Sequence, residues 1–448
     1  MNFYFRKAGN AVLLIVSYGL YLKWKPIYAL VLLWVTATTY VGARVISQKK
    51  EINRKNRVTI LTCVIFLALI PLLVFKYYNF VTTTLASIMA FIGIESGLPG
   101  LNWVMPLGLS FFTLQAIGYV ADVYKKRIPV EYNWWDYMLF VSFFPQIASG
   151  PISKAADLLP QIKKERSFHY AKAVQGLKWL LWGMFMKVVF ADRLGIFVNS
   201  VYDNVEYQSG LSCLLASVFY SLQIYGDFAG YSFMAVGVGK LLGFDLINNF
   251  ERPYLSQSIT EFWHRWHRSL SIWLKDYIYI PLGGSRCSKL RNYWNIFVTF
   301  LVSGLWHGAN WTFIVWGIIH GIVQIIEKVL GLQKSKATGV LKLIRVLLTF
   351  IIATIAWIFF RMPSINDALL VCGKIMSFDG LTLNGLTIYM TAFIVFAISV
   401  VAFKDLNDEF HLIRVKSRIV HWGVWIFLFV SIMTCGVFDS SQFIYVSF

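Results

Sequence analysis

The sequence predicts an all-α, polytopic membrane protein, and three observations carry that prediction. Of the 448 residues, 58% are hydrophobic and 14% charged, whereas soluble domains run near ~45–50% apolar and ~25% charged. Uncharged runs approaching the ~20 residues that a helix needs to cross hydrocarbon recur along the chain. They are Pro26–Ala43, Val58–Phe75, Leu101–Ala121, Tyr137–Ile152, Leu211–Gly226, Asn292–Ile326, Val346–Phe360, Leu383–Phe403 and Ile419–Phe438. Finally, the formal charge of +19 is concentrated between these runs. Residues 48–57 are the densest basic stretch, followed by Lys125–Arg127, Lys163–Arg166 and Arg414–Arg418. Short basic loops mark the cytoplasmic side of a membrane, where anionic lipid attracts them. The charge therefore reads as topology and not as a nucleic-acid surface.

Taken in order, Arg6 and Lys7 precede an apolar stretch at Ala11–Leu22 without a clear small-residue cleavage pattern, so the first segment is expected to stay as a span. Two more short runs, Phe80–Ile94 and Phe228–Gly239, fit spans, re-entrant pieces or buried helices. About 11–13 membrane segments are expected in all. A cytoplasmic loop before Ile419 would carry the C-terminus to the outer face. No polar stretch is long enough to bury its own core, so residues 1–448 read as one membrane domain. The cysteines (Cys63, Cys213, Cys287, Cys372, Cys435) have neither zinc nor disulfide spacing and read as small hydrophobes.

The longest non-spanning region runs from Leu246 to Arg291. Within it, Glu261–Tyr277 carries Glu261, Arg265, Arg268, Lys275 and Asp276. At about 2.5–3.5 kcal/mol per charge near the bilayer centre, insertion would cost more than about 10 kcal/mol. At helical spacing Trp263, Trp266, Leu270, Trp273, Leu274 and Tyr277 form one stripe, which predicts a single amphipathic helix. Ser258 or Thr260 is the expected N-cap, and Pro281 with Gly283-Gly284 the stop. His267 falls at the edge of the stripe and His264 on the charged face.

Asn292 to Ile326 contains no Asp, Glu, Lys or Arg, yet it contains His307 and His320. An ionisable side chain at membrane depth is costly and marks a functional site by default. From the residues alone His307 fits three roles: a buried histidine bonded to a carbonyl, a relay in a transporter, or a general base. Imidazole, with an ordinary pKa near ~6.5, suits the last because it can take and return a proton at neutral pH. Gly304 and Gly308 permit close helix approach or a break that opens a cavity.

Five blocks in one order resemble the membrane-bound O-acyltransferase family, in the bacterial branch of alginate O-acetyltransferases and lipoteichoic-acid D-alanyl-transfer proteins. They are Phe144-Pro145-Gln146-Ile147-Ala148-Ser149-Gly150-Pro151-Ile152, Tyr225-Gly226-Asp227-Phe228-Ala229-Gly230-Tyr231-Ser232, Asn249-Phe250-Glu251-Arg252-Pro253-Tyr254, the 261–286 segment, and Gly304–Phe313 with Trp316-Gly317 and His320-Gly321. The resemblance covers about residues 101–330. It implies a ring of helices around a tunnel, with amphipathic or re-entrant helices within it. It also implies that the family's invariant histidine is His307 and its second, helix-borne histidine is His267.

The resemblance further implies an acyl donor on the cytoplasmic side, either acetyl-CoA or a carrier-protein thioester, and no metal. Arg265, Arg268, Lys275 and Arg286 are the candidates for binding CoA phosphates. The acceptor would be a hydroxyl of a cell-surface polysaccharide beyond a bacterial plasma membrane. Because the chain shows no secreted catalytic domain, an extracytoplasmic SGNH-type esterase-fold partner is expected. The Tyr279-Ile280-Pro281-Leu282-Gly283-Gly284 and Trp311-Thr312-Phe313 wording favours the acetyl branch over D-alanyl transfer. Lipid or protein acylation is a further alternative. A non-catalytic transporter is the alternative of another class, and the absence of an inverted repeat speaks against it. Phe233 stands where many members carry an acid, leaving Asp227 as the acid of its block, to orient a histidine or cap a helix. The terminal Phe443-Ile444-Tyr445-Val446-Ser447-Phe448 resembles a tail of polymer-acylating members, in which Tyr445 would carry the acyl group transiently.

Overall fold

Helices account for all regular structure among the described residues of the computed structural model, which are 2–48, 53–94, 97, 99–333, 335–383, 386–412 and 417–438. The tail with Tyr445 and parts of the basic stretches 48–57 and 414–418 lie outside them. Among the described residues five segments are long and apolar enough to cross a membrane: Pro26–Gln48, Arg54–Phe91, Trp311–Val329, Gly339–Arg361 and Ile388–Phe410. Large apolar side chains stay exposed along them, among them Leu30, Trp34, Phe66, Leu347 and Ile351. In water such a surface would be a liability; against lipid tails it is the natural facing.

The chain divides into two compact units, one comprising Met1–Tyr170 with Leu242–Ile247 and the other Ala171–Leu241 with Asn248–Phe448. In the first, several expected runs resolve differently. Val58–Phe75 and Phe80–Ile94 join in one helical stretch, because the chain continues past Pro71 through a π-turn at Leu73–Tyr77 into Tyr78–Phe91. A proline lacks the N–H of the helical ladder, and a local π-turn is a common way to absorb that loss. Leu101–Ala121 does not form one span; its helix, Leu109–Tyr124, begins only after Gly108. Gly108 has φ +70°, and a Cβ there would sit 1.9 Å from the Ile147 carbonyl oxygen. Tyr137–Ile152 likewise breaks at Phe143 into Trp134–Ser142 and Phe144–Ile147.

That break is held from inside. Gln115 Nε2 donates to the Phe140 carbonyl at 2.5 Å, Gln146 Nε2 donates to Gln115 Oε1 at 2.8 Å, and Ser153 Oγ donates to Gln146 Oε1 at 2.6 Å. All three side chains are buried, where an unmade hydrogen bond costs about 1–3 kcal/mol. The Phe-Pro-Gln block thus keeps its polar residue for a structural network.

In the second unit the 32-residue helix Gly210–Leu241 carries Asp227 in its interior. The segment 261–277 is not the single amphipathic helix that its stripe predicted. It forms Ile259–Arg265, then Arg268–Leu274, then a π-turn at Lys275–Tyr279. The stripe is still buried: Trp263, Trp266, Leu270, Trp273 and Leu274 all lie inside. The N-cap is Ser258, whose Oγ accepts from the Glu261 amide at 3.0 Å. Glu327, from Trp311–Val329, completes the cap by accepting from the amides of Ile259 at 2.5 Å and Thr260 at 2.9 Å. A carboxylate at a helix N-terminus opposes the positive end of the dipole.

Candidate active site

The uncharged run 292–326 folds as a helical hairpin, Lys289–His307 followed by Trp311–Val329. Ser288 caps the first helix, and the Asn310 side chain caps the second by accepting from the Thr312 amide at 3.1 Å. Gly308 takes an extended conformation and ends the first helix just after His307. The two helices approach closely because Gly304 and Gly317 lack side chains. A Cβ on Gly304 would meet the Phe313 carbonyl oxygen at 2.3 Å, and one on Gly317 the Phe300 carbonyl oxygen at 2.5 Å. His307 is therefore a helix-end residue in a tight hairpin, 3% exposed. Its ring lies 4.8 Å from Trp306, 5.0 Å from Trp316 and 5.3 Å from Phe360, centroid to centroid.

His267 arrives from a different element. Trp266 ends Ile259–Arg265 and Arg268 begins the next helix, so His267 sits at the break with φ 41° and ψ 53°. The left-handed region costs a non-glycine residue about 1–2 kcal/mol. The Asn-Phe-Glu-Arg-Pro block holds it there. The Asn249 carbonyl accepts from the Arg268 amide at 3.1 Å, Asn249 Oδ1 accepts from the Ser269 amide at 3.1 Å, and the Glu251 amide donates to the Arg265 carbonyl at 2.9 Å. The break turns the imidazole off the stripe edge and into the core. It is fully buried, edge-on to Phe228 at 4.6 Å, and its centroid is 6.5 Å from that of His307. Burial pushes its pKa down to about 3, so it is neutral at physiological pH.

The structure thus brings His307 and His267 together. A third buried histidine, His320, lies one helical turn past Trp316, 4.9 Å from its ring. The Trp263 indole N–H donates to His320 Nδ1 at 3.3 Å. His320 stood in the same uncharged run as His307, yet nothing in the sequence gave it a partner.

Asp227 is buried. Lys187 Nζ lies 2.6 Å from its carboxylate and 2.7 Å from that of Asp192. Lys187 was missed because its helical turn, Phe185–Ala191, reads as plain apolar sequence around one lysine.

The four basic candidates separate. Arg265 is bound to Glu261 at 2.7 Å and to Glu409 at 3.1 Å. Burial works against its charge, but the two carboxylates outweigh that and raise its pKa. Arg286 is exposed on the loop after Gly283-Gly284. Arg268, paired with Glu251, and the exposed Lys275 line a cavity of about 490 Å³ together with His264 and Lys328. The polar side chains of Thr260, Ser271, Gln324 and Gln333 lie among them, while Trp263, Phe300 and Ile296 supply apolar wall. Among the described residues no three of His, Cys, Asp and Glu converge so as to hold a metal ion.

The family model described as the membrane-bound O-acyltransferase family matches residues 122–365. A probable alginate O-acetylase of Pseudomonas aeruginosa is 36% identical over 408 residues, covering 90% of this chain and 77% of that protein. A peptidoglycan O-acetyltransferase of Helicobacter pylori is 34% identical over 398 residues, covering 83% and 74%. A teichoic acid D-alanyltransferase of Bacillus subtilis is 27% identical over 239 residues, covering 50% and 60%.

Proposed function

The chain belongs to the membrane-bound O-acyltransferase family and is a multi-pass membrane O-acyltransferase, and on that premise we propose that it moves an acetyl group from a cytoplasmic thioester to the hydroxyls of an extracytoplasmic polysaccharide. Residues 1–448 act in this as one catalytic domain. The observation that carries the reading is the approach of His307 to His267, 6.5 Å between ring centroids, inside an aromatic enclosure.

His307 is the general base. It accepts the proton of the incoming hydroxyl as that oxygen attacks the thioester carbonyl. The C–S bond then breaks, and the proton passes to the departing thiolate, leaving an ester and a free thiol. His267, with a pKa near 3, cannot take up that proton at neutral pH. It orients the hydroxyl as a neutral hydrogen-bonding group. The indoles and phenyls around both rings exclude water that would hydrolyse the acyl group.

The donor is acetyl-CoA. Arg268, Lys275 and Lys328 line one cavity and offer the cationic groups that phosphates need. The acetyl assignment draws support from two O-acetylating relatives that match over at least 83% of this chain, against 50% for the D-alanyl-transferring one. An SGNH-type extracytoplasmic protein is the partner that carries acetyl on to the polymer. Tyr445 serves as a transient acyl carrier at the outer end; deletion of Gln442–Phe448 with export of acyl groups intact would remove that step.

The test is label transfer. Membranes containing the protein receive radiolabelled acetyl-CoA, and label is followed on protein and polymer in wild type and His307→Ala. Label that vanishes in the variant is expected. Label from D-alanyl carrier thioester alone would move the enzyme to teichoic acid, and label undiminished by His307→Ala would make the histidine structural.

A further inference from the structure

The cavity does not open directly onto His307. Its mouth is marked by the exposed Lys275 and His264, and its inner wall by the buried Trp263 together with Phe300. Those two rings touch at 5.5 Å between centroids. Behind them lie Trp316, 5.5 Å from Trp263, and then His307, 5.0 Å from Trp316. A thioester that enters among the basic residues therefore meets an aromatic wall before its carbonyl can reach His307. The wall is braced: the Trp263 indole donates to His320 Nδ1, which places the proton of neutral His320 on Nε2. His320 is itself fully buried, stacked parallel to Phe262 and edge-on to Trp316. It has no role in the proton transfer assigned to His307, and its one defined hydrogen bond fixes the orientation of Trp263.

We propose that Trp263 and Phe300 set the length of the acyl group this enzyme transfers, with His320 as the positioning residue that holds Trp263 in place, so that acetyl passes and butyryl or longer chains do not. The inference rests on the thioester-donor reading above. Its physical content is steric. The space around His307 is occupied by Trp306, Trp316 and Phe360. A longer acyl chain must push further among these rings than acetyl does, and cutting back Trp263, which packs on Trp316, gives it room. A methylene accepted or refused by such a pocket changes selectivity roughly 10–200-fold.

The experiment gives membranes containing the full-length protein a series of acyl-CoAs from acetyl to octanoyl and follows release of free CoA thiol. Trp263→Ala and Phe300→Ala are each expected to raise the butyryl-to-acetyl rate ratio roughly ten-fold or more. His320→Leu, which removes the acceptor for the indole, raises it to a smaller degree. His320→Gln, which keeps an acceptor, holds it near the wild-type value. Should Trp263→Ala fail to accumulate, Trp263→Phe and Phe300→Leu carry the same test with smaller cavities. Wild-type transfer together with active variants whose length profile is unchanged would overturn this inference and leave the donor reading standing. Wild-type membranes that release no thiol from any acyl-CoA would overturn the donor reading and this inference with it.

Discussion

The two histidines of the site are delivered by opposite constructions. His307 sits at the end of Lys289–His307, and everything that places it is local: the Gly308 stop, the Asn310 cap and the glycine contact between hairpin helices. His267 sits in a break, and what places it is remote in sequence: Asn249 and Glu251, which bond the backbone on either side of the kink. The hairpin needs no strain to present its ring. The break holds a non-glycine residue at φ 41°, which costs about 1–2 kcal/mol and persists because the surrounding bonds over-determine it. A locally built position should tolerate changes elsewhere in the unit. A remotely clamped one should fail when the clamp is cut, with its own side chain intact.

The largest expected effect tests the first half of that contrast. His307→Ala removes the proposed base without touching its supports, and the acyl-transfer rate should fall by roughly 10²–10⁴-fold with protein level and melting midpoint near wild type. A rate within a few-fold of wild type would mean that proton transfer lies elsewhere. The second test cuts the clamp. Asn249→Ala removes the Oδ1 acceptor for the Ser269 amide and frees His267 to drift. Misplacement of a reacting group by about 1 Å can cost on the order of 10²-fold, so kcat should drop by roughly 10–100-fold with KM little changed. Full kcat in Asn249→Ala would show that the backbone bonds from the Arg268 amide to the Asn249 carbonyl and from the Glu251 amide to the Arg265 carbonyl hold the break without the side chain.

This contrast also explains what could be read from the sequence. His307 was legible because its signal is contiguous: an ionisable residue flanked by glycines and tryptophans in a run without charge. The existence of most helices was legible for the same reason, since apolar runs report burial in lipid or protein. His267 was identified through family resemblance, but its geometry was not legible. A stripe at helical spacing from Trp263 to Tyr277 predicts one continuous helix, and the break between Trp266 and His267 conserves burial of the stripe while rotating one residue out of register. Periodicity is blind to such a kink when both halves keep the same face inward. The partnerships Lys187–Asp227, Trp263–His320 and Glu327 with the amides of Ile259 and Thr260 were hidden for another reason. Each joins residues across dozens of positions, and spacing carries no information about them.

A smaller effect separates the buried rings from the cavity proposed to take the donor. Lys275 is exposed at the cavity mouth. Lys275→Glu places a negative charge where donor phosphates are to bind and should raise KM for acetyl-CoA roughly three- to ten-fold while leaving kcat within two-fold, since uniform binding is all that it removes. The rise should shrink at higher salt, because an exposed charge is screened. A matching fall in kcat would place Lys275 nearer the reacting centre than the geometry does.

The smallest effect concerns the cost of holding His267 neutral. Its pKa falls to about 3 through burial, against about 6.5 for an exposed imidazole in the unfolded chain. Above pH 6.5 both states are neutral at this site and it contributes no pH dependence. As pH falls from about 6.5 toward about 3, the unfolded chain takes up a proton that the folded one refuses, and stability is lost across that window at up to about 1.4 kcal/mol per pH unit. His267→Gln keeps a polar, neutral side chain and removes the titration. In detergent-solubilised protein the melting midpoint of wild type should decline between pH 7 and pH 5, and that of His267→Gln should decline less steeply by the share of one proton. Parallel curves would mean that acid attacks another group first and that the imidazole of His267 is hydrated enough to share its proton with solvent. The comparison of the two histidines would then change: the break would be a solvated hinge, and the hairpin alone would build the dry part of the site.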